Sequence, residues 1–464
     1  MTEKTAPELT RRDFLKSSGA VAALASVGLT VGPTAAAQEQ PAASPAPASE
    51  RIVMGFIGVA GRGSGLMNEF MRHPDVEVGA ICDVYKPRLD AAVAKSGGKA
   101  RAYHDFRDLL AQKDIDAVVI ATPPHWHPLI SIYACQAGKD VYCEKPISNY
   151  PAEAHAMLKA ARENKRVTQV GTQVHASDNF RRAVGIVKSG VLGKIMTVRV
   201  LVTMNEYPGG CGRPADSDPP EGLDWDMWLG PAPAVPFNKA RFETHRYFKD
   251  YAMSWLHELG PHIVDLAHWA MDAGEPTAVS ASGGRYVADD ISDIPDAMDV
   301  IWEYPGFQMT WMHTSCNSFN FGFGGPPDLG RRLGVIFHGT NGTLMADYGS
   351  RKVVSEGDRL KDFVEPEPII PASPGHVRDF LDCIKSRKQP SCSFEYHAPL
   401  AVALNLGHVA LSAGRKIRWD AEQGRVIGDR EADRLAWPSY RKPWKLPGVR
   451  GGLEGESIWT AGVS

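Results

Sequence analysis

The chain has 464 residues, 43% of them hydrophobic and 23% charged, which is enough for two or three globular domains with full cores. This composition excludes low-complexity disorder, collagen and a disulfide-stapled miniprotein for the bulk of the chain. With 51 basic against 54 acidic residues and a net charge of −3, no dense basic run marks a nucleic-acid partner. The seven cysteines form no CxxC pair, so neither a structural zinc site nor a disulfide framework is indicated, and no metal is expected.

Arg11-Arg12-Asp13-Phe14-Leu15-Lys16 opens the chain's first organised segment. A weakly apolar stretch from Gly19 to Val31 follows, then the small residues Ala35-Ala36-Ala37. Charged region, apolar region and small-residue site stand in the order of an export signal, and the paired arginines specify the twin-arginine type. Residues 1–37 are therefore expected to be a signal peptide handed to the twin-arginine export machinery, with a periplasmic or otherwise exported product. Residues 38–50 are rich in Pro, Ala and Ser and read as a disordered linker. No cysteine follows the cleavage region and no later apolar run reaches the ~18 residues of a membrane span, so no stable membrane anchor is expected.

Residues 51–172 read as a nucleotide-binding domain. Arg51 to Gly58 is a nearly continuous apolar run, as a buried parallel strand requires. It leads into Gly58-Val59-Ala60-Gly61-Arg62-Gly63 and then a helical pattern, the setting of a dinucleotide fingerprint. The fingerprint glycines are Gly58 and Gly63, with Ala60 in the middle position and Gly61 beside it. Val76 to Cys82 is the next strand and ends in Asp83, 25 residues after Gly58 and close to the ~20 expected of the acid that binds the adenosine ribose. A carboxylate there repels a 2′-phosphate, which favours NAD over NADP. The third strand, Ala117 to Ile120, runs into Thr122-Pro123-Pro124-His125-Trp126-His127, a loop at the carboxyl end of the sheet where ligands bind. Two imidazoles and an indole there are candidates to line a nicotinamide pocket. After Asp140-Val141-Tyr142-Cys143 comes Glu144-Lys145-Pro146, a lysine at a strand end with its backbone fixed by proline. Such a lysine can take or share a proton with a bound hydroxyl.

The glycine turn, Asp83, the ATPPHWH loop and the EKP triplet together resemble the Gfo/Idh/MocA family. The similarity covers most of the chain from about 51 to 445 and extends to Val170-Gly171-Thr172-Gln173, Asp224-Trp225-Asp226-Met227-Trp228-Leu229-Gly230-Pro231 and His376-Val377-Arg378-Asp379. The resemblance implies an α/β Rossmann domain followed by an α+β domain on a large, mostly antiparallel open sheet. It also implies a homodimer or homotetramer and reversible hydride transfer between NAD and a sugar or cyclitol hydroxyl. The cofactor set it implies adds Glu144, Lys145 and Gln173 to Gly58, Ala60, Gly61, Arg62, Gly63, Asp83, Thr122, Pro123, His125, Trp126 and His127.

Residues 173–436 make up the expected second domain. Its most informative segment is Ser254 to Met271, SWLHELGPHIVDLAHWAM, with an apolar helical stripe at Ile263, Leu266, Ala267 and Ala270. In the family a helix here carries an Asp and a His four residues apart, lying over the nicotinamide beside the lysine. His262 matches that histidine, whereas the position four earlier is Glu258. His257-Glu258-Leu259-Gly260-Pro261 is also similar to NAD-dependent α-N-acetylgalactosaminidases. Those enzymes oxidise the sugar, eliminate the aglycone, hydrate and reduce, with no net use of NAD. Lys145, His262, Glu258 and His257 are the catalytic candidates. Trp126 and Trp255 are candidate sugar platforms, and Lys145 and Asp265 candidate substrate contacts. A non-catalytic saccharide-binding protein on the same scaffold is the remaining alternative. Alternating patterns from Ala278 to Thr314 predict antiparallel strands, and Asn341-Gly342 predicts a tight turn in a hairpin over 335–348. The Gly- and Phe-rich stretch from Asn317 to Gly330 suggests a lid. Residues 437–464 form a tail with aromatic anchors at Trp437, Tyr440 and Trp444.

Overall fold

The computed structural model describes residue 47 and residues 50–319 and 332–447. The expected signal peptide, most of the linker, most of the expected lid and the end of the tail lie outside the described residues. Six strands form the first sheet: β1 (Ile52–Ile57), β2 (Val76–Cys82), β3 (Arg101–Tyr103), β4 (Ala117–Ile120), β5 (Asp140–Glu144) and β6 (Thr168–Gly171). Their order is β3-β2-β1-β4-β5-β6 and every pair is parallel. This is the doubly wound Rossmann arrangement, with its ligand crevice where the order reverses between β1 and β4. All four residues of β4 are buried, as expected of a strand covered on both faces.

The second sheet is built from β7 (Ile195–Asn205), β8 (Ala278–Gly284), β9 (Ala297–Tyr304), β10 (Phe307–Thr314), β11 (Cys316–Asn317), β12 (Arg332–Gly339), β13 (Gly342–Ala346), β14 (Arg351–Ser355), β15 (Ile417–Asp420) and β16 (Arg425–Val426). They run in the order β14-β13-β12-β7-β10-β9-β8-β15-β16, with β11 on β7. All pairs are antiparallel except β7 with β10. The expected hairpin is present as β12 and β13, joined through Thr340 and Asn341. Alternation places Val198, Val200 and Val202 of β7 and Val300 and Trp302 of β9 inward, while Arg199 and Ile301 face out.

Two long helices cover the inner face of this sheet, Trp255–Ala270 and Phe394–Ala413. They cross closely because Gly260 and Gly407 carry no side chain. A Cβ on Gly260 would lie 2.8 Å from Leu404, and one on Gly407 would lie 2.8 Å from Leu256. The indole N–H of Trp302 donates to the carbonyl of Ala403 at 2.7 Å, tying sheet to helix.

The chain then returns to the first sheet. Helix His376–Ser386 packs Phe380 edge-on against Phe70 and Tyr142. Arg378 donates two hydrogen bonds to the carboxylate of Asp75, at 2.9 and 3.0 Å, and Lys385 pairs with the same group. One wall of the N-terminal core is thus supplied from more than 200 residues downstream of β6.

Replacing Trp302 with Ala removes a fully buried ring and its hydrogen bond. The expected loss is about 3–5 kcal/mol of unfolding free energy, measured by urea titration. A loss below about 1 kcal/mol would show that the sheet and helix are not joined through this side chain.

Candidate active site

A cleft of about 470 Å³ opens at the carboxyl end of the first sheet, between the glycine turn and the second half of the chain. Gly58 adopts φ +80°, and a Cβ there would sit 2.7 Å from the backbone nitrogen of Thr122. A Cβ on Gly63 would lie 2.0 Å from the carbonyl oxygen of Gly58. Packing therefore fixes the outer fingerprint positions as glycine. Ala60 is the N-cap of helix Gly61–Met71 and supplies no side-chain cap, which leaves the N–H groups of the first turn for an anion. The turn is shaped for a dinucleotide pyrophosphate. Asp83, only 8% exposed, lines the cleft and accepts hydrogen bonds from the backbone N–H groups of Val59 (3.0 Å) and Tyr85 (2.9 Å). Burial raises its pKa and the two donors pull it back. These residues fit a bound NAD.

Arg62 and Glu144, expected as separate cofactor contacts, form one ion pair at 2.9 Å on the cleft wall. Thr122, Pro123 and His127 line the same wall. The imidazole of His127 bridges the two loops, with Nδ1 at 2.7 Å from the carbonyl of Pro146 and Nε2 at 2.8 Å from that of Thr122. Lys145 stands across from the glycine turn, and its peptide bond to Pro146 is cis. Its Nζ donates both to the carboxylate of Glu258 and to the main-chain carbonyl of Glu258, each at 2.9 Å.

Local sequence explains how Glu258 arrives there. Helix Trp255–Ala270 starts at Ser254, whose Oγ accepts from the N–H of Leu256. Met253, immediately before, is held at φ +61°, a strained value for a residue with a side chain. Pro261 inside the helix has no N–H to return to the His257 carbonyl, so the first turn is loosened where it meets Lys145.

His262 lies one turn further along this helix. Its Nδ1 is 3.2 Å from the carbonyl of Thr172 and so carries the proton, which leaves Nε2 as an acceptor. Burial, reinforced by the charge of Lys145, lowers its pKa to about 3. His262 is thus electrostatically coupled to Lys145 but is not among the residues that line the cleft.

Five expected contacts take other places. His257 points into the core, where its Nε2 is 2.6 Å from Asn405 Oδ1 and its ring meets His408, so it faces away from Lys145. Trp255 is 2% exposed and packs on Tyr247 and His313, too deep to stack on a sugar. Asp265 is fully buried with His175 and Tyr396, off the cleft lining. His125 bonds to the carbonyl of Trp228 within the wall. Gln173 donates to Tyr142 Oη and the Gly171 carbonyl, off the cleft lining. Trp126 does line the cleft, but it is 4% exposed and wedged among Phe106, Trp444 and the backbone of Gly230. It is a wall and not an open platform.

Sequence reasoning missed His245 and Arg246, which line the cleft from a single 3₁₀ turn, His245–Tyr247. Burial lowers the pKa of His245 to about 4, with Glu258 opposing the shift and Arg246 adding to it. The turn lies in a polar and aromatic run with no hydrophobic period, so only the adjacent His-Arg pair could have marked it.

Two measurements test this geometry. Gly63→Ala forces its new methyl group against the Gly58 carbonyl, and the variant is expected to purify folded but largely stripped of NAD, as counted by mass spectrometry. Full NAD content would show that the turn does not grip the pyrophosphate. Because His245 and His262 stay neutral above about pH 5, falling pH charges them only below that point. The kcat/KM profile is expected to lack an acid limb between pH 5 and 7. A limb near 6.5, the ordinary imidazole value, would mean that a solvated histidine takes part.

The comparisons with known proteins agree with this architecture. The family model described as "Oxidoreductase family, NAD-binding Rossmann fold" matches residues 52–172, and its C-terminal alpha/beta domain matches 178–294 and 335–446. A twin-arginine translocation pathway signal sequence matches residues 8–28. A glycosyl hydrolase family 109 protein of Shewanella pealeana is 30% identical over 207 residues, 41% of this chain and 45% of that protein; one of Shewanella baltica is 29% identical over 202 residues. The chain thus spans less than half the length of the curated relatives it matches. Among solved structures, the WlbA dehydrogenase of Bordetella pertussis, with NADH and UDP-GlcNAcA, has a TM-score of 0.58 at 21% identity, covering 80% of this chain and 99% of that one. Levoglucosan dehydrogenase with NADH and levoglucosan has a TM-score of 0.56 at 18% identity, covering 79% and 99%. Matched by family models over well more than half its length, the chain belongs to the Gfo/Idh/MocA oxidoreductase family, carries that family's NAD-binding Rossmann domain, and bears a signal for twin-arginine export.

Proposed function

We propose that this protein is an exported oxidoreductase that acts on a sugar, cyclitol or glycoside hydroxyl with NAD that stays bound and is recycled. One observation carries the reading: Lys145, tied to Glu258, stands in the cleft opposite the glycine turn. Bound NAD supplies a hydride acceptor and donor. Lys145 polarises the reacting hydroxyl, and Glu258 receives its proton through the lysine. His262, neutral and with Nε2 accepting, steadies the lysine's charge. Asp83 selects the unphosphorylated ribose of NAD over NADP, because a second anion beside a buried carboxylate is repelled. An exported enzyme has no free dinucleotide pool, so a second substrate, or a later step on the first one, must return the hydride.

Glycoside cleavage by oxidation, elimination, hydration and reduction is the second reading, favoured by the likeness to the family 109 protein of Shewanella pealeana. Its proton-handling group would be Glu258 or His245, since His257 is turned into the core. The two readings differ in product. Incubation with a panel of sugars and aryl glycosides is expected to leave bound cofactor absorbing at about 340 nm until a second sugar is added. Release of free aglycone with no lasting absorbance would establish the glycosidase reading instead. Lys145→Ala should retain NAD and lose about 100- to 10,000-fold in hydride transfer rate. A variant that reduces its NAD at the wild-type rate would remove Lys145 from the chemistry.

A further inference from the structure

The charged side chains of the cleft are nearly all answered within the protein. Arg62 pairs with Glu144, Lys145 with Glu258, and Glu243 stands 3.9 Å from Lys239. Asp83 takes two backbone donors, and Arg88 lies flat over the rings of Phe242 and Tyr85. Arg88 and Arg246 make no ion pair among the described residues, and the guanidinium of Arg246, which also lines the cleft, lies 5.7 Å from the ring centre of Tyr247. The planar fork of a guanidinium matches a carboxylate with two parallel hydrogen bonds.

The position of Arg246 indicates which molecule brings that anion. It lines the same cleft as His245, Lys145 and Glu258, and its charge acts on His245, which also feels the other two. The pyrophosphate end is served from the opposite side by the glycine turn and the open first turn of helix Gly61–Met71. We propose that Arg246 is the specificity-determining cation of this cleft and that it selects a saccharide bearing a carboxylate, of the uronic acid class. The proposal rests on the reading of the cleft as a saccharide site, but not on hydride transfer there.

The test uses the purified holoenzyme and pairs of methyl glycosides that differ only at C6, a hexose against its hexuronate in the gluco, galacto and manno series. Binding is measured by calorimetry, so that no turnover is needed. At least one hexuronate is expected to bind on the order of 10- to 100-fold more tightly than its neutral partner. Arg246→Met should erase that preference, Arg246→Lys should keep part of it, and both variants should retain NAD. Equal binding within every pair would overturn the proposal, and this arm needs no variant. Loss of NAD from Arg246→Met, in parallel with any loss of sugar binding, would assign the guanidinium to the cofactor phosphates and also overturn it. An Arg246-dependent hexuronate preference with bound NAD that never changes absorbance would sustain this proposal while sinking the redox reading.

Discussion

The ammonium of Lys145 joins the two halves of this molecule at the point where chemistry would occur. It stands at the end of β5, a strand buried on both faces, and it reaches the carboxylate and the carbonyl of Glu258 on a helix from the second half. Neither group would hold its place alone. The lysine is only 13% exposed and Glu258 20%, so an unpaired charge at either position would carry a desolvation penalty of several kcal/mol. Pairing offsets that cost and ties the second half to the cleft beside the glycine turn. The loosened turn around Pro261 and the strained Met253 lie beside this contact, where backbone irregularity serves to aim Glu258.

The electrostatics of the cleft follow from burial. Imidazoles gathered around Lys145 and Glu258 are desolvated and therefore neutral, so they serve as hydrogen-bond partners and not as cations. The charged groups are paired instead, Arg62 with Glu144 and Lys145 with Glu258. Such a site holds neutral imidazoles and paired charges side by side. It is suited to moving one proton at a defined atom while surrounding dipoles stay fixed.

Much of this was legible in the sequence, for identifiable reasons. The glycine turn, Asp83 and the two strand-end loops follow from one-dimensional rules, because parallel strands place their carboxyl ends on one edge whatever lies beyond them. Glu258 stood out as the departure from the family's aspartate, and it is the group that meets Lys145. Two candidates that the structure turns away from the cleft share a cause. His257, Glu258 and His262 are close in sequence on one helix, and residues one apart are rotated by about 100°. His257 therefore faces Asn405 while its neighbour faces the cleft. Trp255 likewise lies on a face of this helix that is buried in the core. His245 and Arg246 went unseen because short turns have no period to read.

The cleft also depends on segments remote in sequence, and this bears on export. Trp126 holds its place because Trp444 packs 4.7 Å away, edge to face, and because Gly230 leaves room for the indole. Arg441 donates to the carbonyl of Gly230, and Tyr440 donates to Glu153 on a helix of the first half. Helix His376–Ser386 supplies Phe380 to the core beneath the glycine turn. The nucleotide-binding half thus depends on contacts with residues as far along the chain as Trp444. A pocket assembled from segments this far apart is complete only once they are folded together. Twin-arginine export, which carries molecules already folded, is compatible with a site built in this way.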